Sequence, residues 1–367
     1  MHYLLTIYKP RSNIIYRRYM PKKQIDLHPS WQKKAAEEKE KKRFTIVQRG
    51  WGKGFVSKAI IVKQMFHPYF WGAWFTIFML YLIVTVLPYP VLMFLGRKIG
   101  RLLGTISPSR KYVLRRNLEL AFPELNDAER HDLSKKIQEN SGQAIFETGM
   151  AWFWSNKRLL RHACIDEQDL KRAKEIAQSQ RPILVLTAHF VHLEIMARLY
   201  ALYITPGIGV YRPTDHPVWE WAQVHGRLRN NLALVDRNDP RSMIKALMRN
   251  LPIWYAPDQD YGKNASVFVP FFGVEKAATV IGTHNLARVK NTLVQPSWTI
   301  RKNGKYQLFV KEPLTDFPTE DATADTKRVN KVLEQMIQMA PEQYLWLHRR
   351  FKTTPDGESS RYPLIRH

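Results

Sequence analysis

The pattern of apolar and polar positions changes along this chain, and the changes divide it. Up to about residue 65, basic and polar residues dominate without a sustained period. Within that stretch KKAAEEKEKKR, Lys33–Arg43, puts Lys and Glu in helical register, which fits a solvated helix or a surface drawn to anionic headgroups. From Gln64 to Gly96 no Lys, Arg, Asp or Glu occurs, between Lys63 and Arg97. A helix rising 1.5 Å per residue crosses the roughly 30 Å hydrocarbon layer in about 20 residues, so this run is long enough to span a membrane. Pro88 and Pro90 should end the helix, leaving about Phe70–Leu87 as the span. Tyr69, Trp71 and Trp74 gather at one end, as interfacial aromatics do. A buried globular helix is the plainer alternative, but the long absence of charge favours the membrane.

Beyond Arg97 helical and strand periods take over. Arg110–Trp154 reads as helices: Asn126 with Asp127 and Glu129 makes an amino-terminal cap, and Leu133, Ile137, Ala144 and Ile145 recur on a stripe. Its aromatic end, Trp152, Phe153 and Trp154, suits a core or a membrane interface equally. Short apolar runs follow at Ile183–Leu186, Gly209–Tyr211, Ile253–Ala256, Val267–Phe271, Leu293–Pro296 and Tyr306–Val310. Between and after them lie helical patterns at Arg241–Arg249, Thr279–Val289 and Thr326–Met339, the last with Val329, Leu333, Met336 and Ile337 on one face. This alternation predicts an α/β fold with a central mixed or mainly parallel sheet flanked by helices. No repeat or low-complexity linker breaks the chain after residue 97. The expected organisation is a basic extension over 1–65, a membrane segment over 66–96 and one domain over 97–367.

Candidate chemistry concentrates at RPILVLTAHFVHLEIMA, Arg181–Ala197. Ile183–Leu186 is short and branched, which marks a strand buried on both faces, and His189 follows at its carboxyl end. Open α/β sheets carry reacting groups there. Within one helix, residues five apart point about 140° from each other and do not meet, but a strand-to-helix bend removes that bar. Glu194, on the first helical turns, is then expected to take the Nδ1 hydrogen of His189 and leave Nε2 as a base toward an alcohol. The same residues fit a plainer reading, a buried histidine with Glu194 serving the helix macrodipole. His192 is the second choice of base. HExxH is absent and Cys164 is the single cysteine, so no catalytic metal is expected.

Charge narrows the partners. Lys and Arg number 57 against 32 acidic residues, a formal +25, which calls for nucleic acid, an anionic membrane face or a phosphorylated substrate. No nucleic-acid module is present to take up the first option. The lone cysteine excludes an internal disulfide, and Met1–Met20 carries scattered Arg and Tyr where a cleaved signal peptide would have an apolar run.

His-x4-Glu after a strand resembles the His-x4-Asp/Glu box of membrane glycerolipid acyltransferases. The strings HPYFWGAWF, LPYP, RRNLEL, ETGMAWFW, GIGVYRP, GRLR, MIKAL, WYAPDQDYG, SVFVPFFGVE and MAPEQYLWLHRRFKT, in this order, are similar to the late acyltransferases of bacterial lipid A biosynthesis, nearest the lauroyl-transferring branch. The resemblance runs from about His67 to Tyr362. It implies a glycerolipid acyltransferase-like fold with one membrane helix, in the inner membrane, the catalytic domain facing the cytoplasm. The flanks of the span are basic on both sides and give no orientation by themselves. It also implies transfer of a fatty acyl chain from acyl carrier protein, as co-substrate and without a cofactor, to a hydroxyl on a Kdo-bearing tetraacylated lipid A precursor. Anionic inner-membrane lipids complete the expected partners.

Such a transfer needs a base, oxyanion stabilisation and a grip on both substrates. No Gly-x-Ser-x-Gly elbow occurs, which favours direct attack by the lipid hydroxyl over a serine intermediate. Arg227 and Arg229 in HGRLRN and Arg212 in YRP are candidates for anionic or oxyanionic contacts, with Arg227 preferred on the resemblance. Asp258 and Asp260 in YAPDQDYG sit where the glycerolipid enzymes carry a Glu-Gly phosphate-site box with a following arginine. Two carboxylates would repel phosphate, so they are expected to position arginines or sugar hydroxyls. His348, Arg349 and Arg350 form a basic end that fits acceptor phosphates or simple solvation. A sister enzyme with a palmitoleoyl or myristoyl donor, a generic lysophospholipid acyltransferase and a membrane-tethered nucleic-acid-binding protein are the rivals.

Overall fold

The computed structural model describes residues 54–363. The expectations for residues 1–53, including the Lys33–Arg43 run, lie outside the described residues. The described chain begins with β1 (Phe55–Val56) and reaches α1 (Trp71–Val86) through short 3-10 turns at Lys63–Phe66 and Pro68–Phe70. Among the described residues, Pro68–Val86 is the one helical stretch long and apolar enough to cross a membrane. Trp71, Phe75, Phe78, Tyr81, Leu82 and Val86 on it are exposed, whereas Ile77, Leu80 and Val84 pack inward. A continuous bare face of this kind fits hydrocarbon far better than water. Leu87 is extended, and Pro88 and Pro90 start the next helix, α2 (Tyr89–Ile106), which places the break where the prolines require it.

Next come α3 (Pro108–Ala121) and the long α4 (Asp127–Phe153). The expected cap of α4 is complete: Asn126 Oδ1 accepts from the Glu129 amide at 3.0 Å, and the Glu129 carboxylate accepts from the Asn126 amide at 2.8 Å. The closest helix contact is α2 on α4, and glycine makes it possible. A Cβ on Gly142 would lie 2.1 Å from the Gly96 carbonyl oxygen and 2.3 Å from the Gly100 amide nitrogen, both unyielding backbone atoms.

The remaining elements in order are α5 (Asn156–Leu160), β2 (Ala163–Ile165), α6 (Glu167–Gln178), β3 (Ile183–Leu186), α7 (Leu193–Tyr203), β4 (Ile208–Tyr211), α8 (Pro217–Arg227), β5 (Ala233–Asp236), α9 (Pro240–Met248) and β6 (Ile253–Tyr255). A hairpin, β7 (Ser266–Phe271) and β8 (Val274–Val280), precedes α10 (Gly282–Ala287), β9 (Leu293–Lys302), β10 (Lys305–Val310) and α11 (Ala322–Gln338). The large sheet has the order β1-β5-β4-β6-β3-β9-β10-β2. Its centre, β5-β4-β6-β3-β9, is parallel, while β1 and β10 run antiparallel to their neighbours β5 and β9, and β2 is parallel to β10. This is the mixed α/β sheet that the alternating pattern predicts.

Strand periodicity divides the core into two layers. Leu184 and Leu186 join the apolar cluster with α3, α9 and α11, and Ile183 and Val185 join the one with α1, α2, α7 and α8. Helix α1 is therefore packed on one face of the large sheet. One expected helix is corrected. Thr279–Val289 begins as strand, because Val274–Val280 pairs with β7 across a turn in which Phe272 takes a φ of 50°, and α10 starts only at Gly282. The sheet also takes in Phe55 and Val56, which pair with Val235 and Leu234, from the stretch grouped with the basic extension.

Candidate active site

Register builds the site. β3 pairs with β6 so that Leu186 faces Tyr255, and the ladder continues one step through the Thr187 amide to the Tyr255 carbonyl at 3.0 Å. Three residues beyond these partners come His189 on one strand and Asp258 on the other. Two loops leaving adjacent parallel strands at the same level bring both side chains to the carboxyl edge of the sheet. His189 Nδ1 lies 2.6 Å from Asp258 Oδ1, and the His189 amide donates to Asp258 Oδ2 at 2.8 Å. The Asp258 side chain is 0% exposed and that of His189 19%. Burial alone would raise the Asp258 carboxyl, but the facing His189 charge and hydrogen bonds from its ring and amide hold it at about 2. It is an anion fixed against one nitrogen of a solvent-reaching imidazole.

The expected partner of that nitrogen was Glu194, and the structure corrects it. Glu194 opens α7 but turns to α8, where Oε1 accepts from Arg227 Nε at 2.8 Å and from Arg227 Nη2 at 2.5 Å, with Trp152 Nε1 3.4 Å from Oε2. The five-residue offset decides this: the bend frees His189 from the helix, yet Glu194 within the first turn still points to the neighbouring helix rather than back to the loop. Burial would raise the Glu194 carboxyl, and Arg227 outweighs it and keeps it below the usual range. Arg227 is thus held by a carboxylate, and the two ions lie at the ends of α7 and α8 beside the loop that carries His189.

A segment from the carboxyl-terminal part clamps the loop. The Leu345 amide donates to the His189 carbonyl at 3.0 Å, the Val191 amide to the Gln343 carbonyl at 2.9 Å, and Phe190 bridges Tyr344. Asn117 of α3 holds the same segment by donating to the Trp346 carbonyl at 2.6 Å and the His348 carbonyl at 2.7 Å. Sequence reasoning passed over Asn117. Its signal was present in RRNLEL, a polar residue at a core position of a helical stripe.

Several sequence candidates take other tasks. Asp258 orients His189 rather than an arginine or a sugar. Asp260 accepts from the Thr353 amide at 2.8 Å, the Thr353 hydroxyl at 2.7 Å and the Gly262 amide at 3.0 Å, so it ties two loops together instead of positioning a substrate group. Arg350 is buried, stacks its guanidinium 4.5 Å from the Phe271 ring and donates to the Ala278 carbonyl and the Thr279 hydroxyl, which removes it from acceptor binding. His348 Nε2 faces the Asp260 amide at 3.4 Å, and burial, then the Arg350 charge, push its imidazole down to about 3. It is neutral, not a phosphate-binding cation. Arg229 donates to the Trp152 carbonyl at 2.6 Å and so closes the end of α4, while Arg212 is exposed at the carboxyl end of β4. Arg349 is half-buried. His192, the second-choice base, is buried between Gln343 Oε1 at 2.9 Å and the Thr299 hydroxyl at 3.1 Å. Among the described residues, no group of three or more His, Cys, Asp or Glu converges as a metal site.

Fold and site define an enzyme class: an α/β protein packed on a membrane-type helix, with a histidine–carboxylate pair at the carboxyl edge of its parallel strands. The model of the bacterial lipid A biosynthesis acyltransferase family matches residues 60–353. Over 300 residues the chain is 45% identical to the lipid A biosynthesis lauroyltransferase of Escherichia coli (strain K12), covering 81% of this chain and 97% of that protein. Identity is 40% over 302 residues with the lipid A biosynthesis palmitoleoyltransferase of the same organism, 82% of this chain and 97% of that protein. With its lipid A biosynthesis myristoyltransferase it is 28% over 306 residues, 82% and 93% respectively. The chain belongs to the bacterial lipid A biosynthesis acyltransferase family and is an acyltransferase.

Proposed function

We propose that this enzyme moves a lauroyl chain from acyl carrier protein to the hydroxyl of an acyl chain on a Kdo-bearing tetraacylated lipid A precursor, making an acyloxyacyl ester. The observation that carries the chemistry is the 2.6 Å contact of His189 Nδ1 with the buried Asp258 carboxylate. With Nδ1 committed as donor, Nε2 takes the proton of the lipid hydroxyl as its oxygen attacks the thioester carbonyl. Asp258 stabilises the imidazolium that results. Collapse of the tetrahedral intermediate breaks the carbon–sulfur bond, and the imidazolium returns the proton to the leaving thiolate, so the base is regenerated. Glu194 acts in this scheme as a positioning residue for Arg227, whose guanidinium supplies fixed positive charge near the reacting ester.

The lauroyl donor is favoured by the 45% identity with the lauroyltransferase against 40% with the palmitoleoyltransferase. The +25 formal charge suits an acidic carrier protein and a phosphorylated acceptor. The apolar Pro68–Val86 helix supports an inner-membrane, single-pass placement with the sheet on the cytoplasmic side, where acyl carrier protein is found. Mass spectrometry of products formed by the purified enzyme from a panel of acyl carrier protein thioesters and the Kdo-bearing precursor tests donor and acceptor together. A product heavier by one lauroyl group, absent with His189→Ala, is expected. Preference for another chain length removes the donor assignment, and transfer only to a lysophospholipid removes the acceptor.

A further inference from the structure

Where α2 ends and α3 begins, a cavity opens that is lined by Gly104, Ser107, Arg110, Lys111, Gln138 and Leu347, among others, and by no acidic side chain. Arg110 Nη1 donates to the Leu347 carbonyl at 2.9 Å, and no carboxylate among the described residues pairs with the rest of that guanidinium. Arg101, on the preceding helix, shows the contrast, since Glu139 holds it at 2.7 Å. Arg349 brings a second guanidinium, whose Nη1 is shut off from solvent without a hydrogen-bond partner. Burial, and then the Arg349 charge, hold Arg110 below the usual guanidinium range, so a second cation lies within electrostatic reach of it. The first turn of α3 adds to the same sign. It carries no acidic residue, and the Ser107 side chain does not cap it.

Beside these cations the last turns of α2 expose Leu102, 59%, and Ile106, 63%, four residues apart on one face. Uncompensated positive charge next to bare apolar surface matches an amphiphile better than a free anion. We propose that this cavity binds the phosphate headgroup of an amphiphile through Arg110 and Lys111, with an apolar chain lying over Leu102 and Ile106. On the function proposed above, from which this step follows, that amphiphile is the phosphorylated acceptor. The segment that reaches the cavity at Leu347 bonds to the His189 carbonyl through Leu345, so phosphate site and base flank one short piece of chain.

The test is acyl-transfer kinetics of the full chain in detergent, with the phosphorylated acceptor and with the same acceptor stripped of its phosphates. Arg110→Gln and, separately, Lys111→Gln should raise KM for the phosphorylated acceptor about tenfold, the loss of one charge-assisted hydrogen bond, with kcat within about twofold. Lys111 is exposed, so its variant keeps the proposal testable should Arg110→Gln loosen Leu347. The stripped acceptor should show one KM in all three proteins. An equal rise on both acceptors, or no rise on either with phosphatidylglycerol binding unchanged, overturns the proposal. Flotation with phosphatidylglycerol and phosphatidylcholine vesicles separates the sources. Loss of phosphatidylglycerol binding in the variants with an unchanged acceptor KM keeps the cavity as a phosphate site and assigns it to bilayer lipid. A wild-type enzyme that acylates no lipid A precursor sinks the proposed function, while flotation still reads the cavity.

Discussion

Two histidine–aspartate pairs stand out among the described residues, and they differ in what surrounds them rather than in what they are. His189 meets Asp258 through Nδ1 at 2.6 Å, and His284 meets Asp325 through Nδ1 at 2.8 Å. His284, in α10, is buried, and Asp325, in the first turn of α11, also accepts from the Thr319 amide at 2.8 Å and hydroxyl at 3.0 Å. That pair pins two helices and a loop inside the protein. The first leaves adjacent parallel strands at the carboxyl edge and reaches solvent through the imidazole. A histidine–carboxylate contact is therefore not a site by itself. It becomes one where a buried acid fixes a ring whose far side a substrate can approach.

The largest effect expected from this contrast is at Asp258. Asparagine there still accepts the His189 amide, but its NH2 group donates to Nδ1 and so places the ring hydrogen on Nε2, the nitrogen that must take the proton. Turnover by Asp258→Asn should fall a hundredfold or more with the fold retained, and so should turnover by His189→Ala. Single-turnover rates on purified protein measure this. Wild-type turnover in Asp258→Asn would end the assignment of Asp258 as the orienting acid.

Next is the Glu194–Arg227 pair, which cannot exchange a proton near neutral pH because arginine keeps its own. Glu194→Ala and Arg227→Ala should each slow turnover about tenfold or more, and the double variant should be no slower than the worse single, as for two groups acting as one unit. Multiplicative losses would mean that Glu194 has a task apart from Arg227. At the buried pair, Asp325→Asn should cost about 1–3 kcal/mol of stability, the penalty for a disturbed buried hydrogen-bond set, while turnover per folded molecule stays unchanged. A loss of turnover without a loss of stability would reverse the two roles.

Ile183–Leu186 is a strand to the residue because its branched apolar run admits little else, and the charge-free stretch after Lys63 delivered the membrane-type helix. His189 followed from its place after that strand. Its partner did not, since neighbourhood along the chain favoured Glu194, while neighbourhood in space depends on β6 lying beside β3, an order set by crossovers. The clue was the matched spacing: ILVL and IWY are each followed, three residues on, by one member of the His189–Asp258 pair. The basic end misled for another reason. The side chains of His348–Arg350 take different neighbours, so a cluster in sequence separates into a neutral histidine against the Asp260 amide and an arginine in the core. Likewise Ala233–Asp236 carries a short run that becomes strand because β4 and β1 flank it.

The smallest effect sharpens the electrostatic side of the comparison. His348 is neutral when folded, with its imidazole pushed from 6.5 to about 3, so between those values the unfolded chain binds the extra proton. Its contribution to stability is complete above about pH 6.5 and is lost as pH falls toward 3. Asp258 behaves alike in a lower window. Held at about 2 against an ordinary 3.8, it stabilises above about pH 4 and ceases to do so as pH falls through 2. His192, buried and also depressed, adds to the upper window. The unfolding midpoint of the wild type should therefore decline steadily below about pH 6.5. His348→Asn should give a shallower decline between pH 6.5 and 4 whatever its midpoint at neutral pH, because the slope counts protons and the level does not. An unaltered slope would show that His348 takes up its proton in the folded protein too, in contact with water rather than sealed against the Asp260 loop.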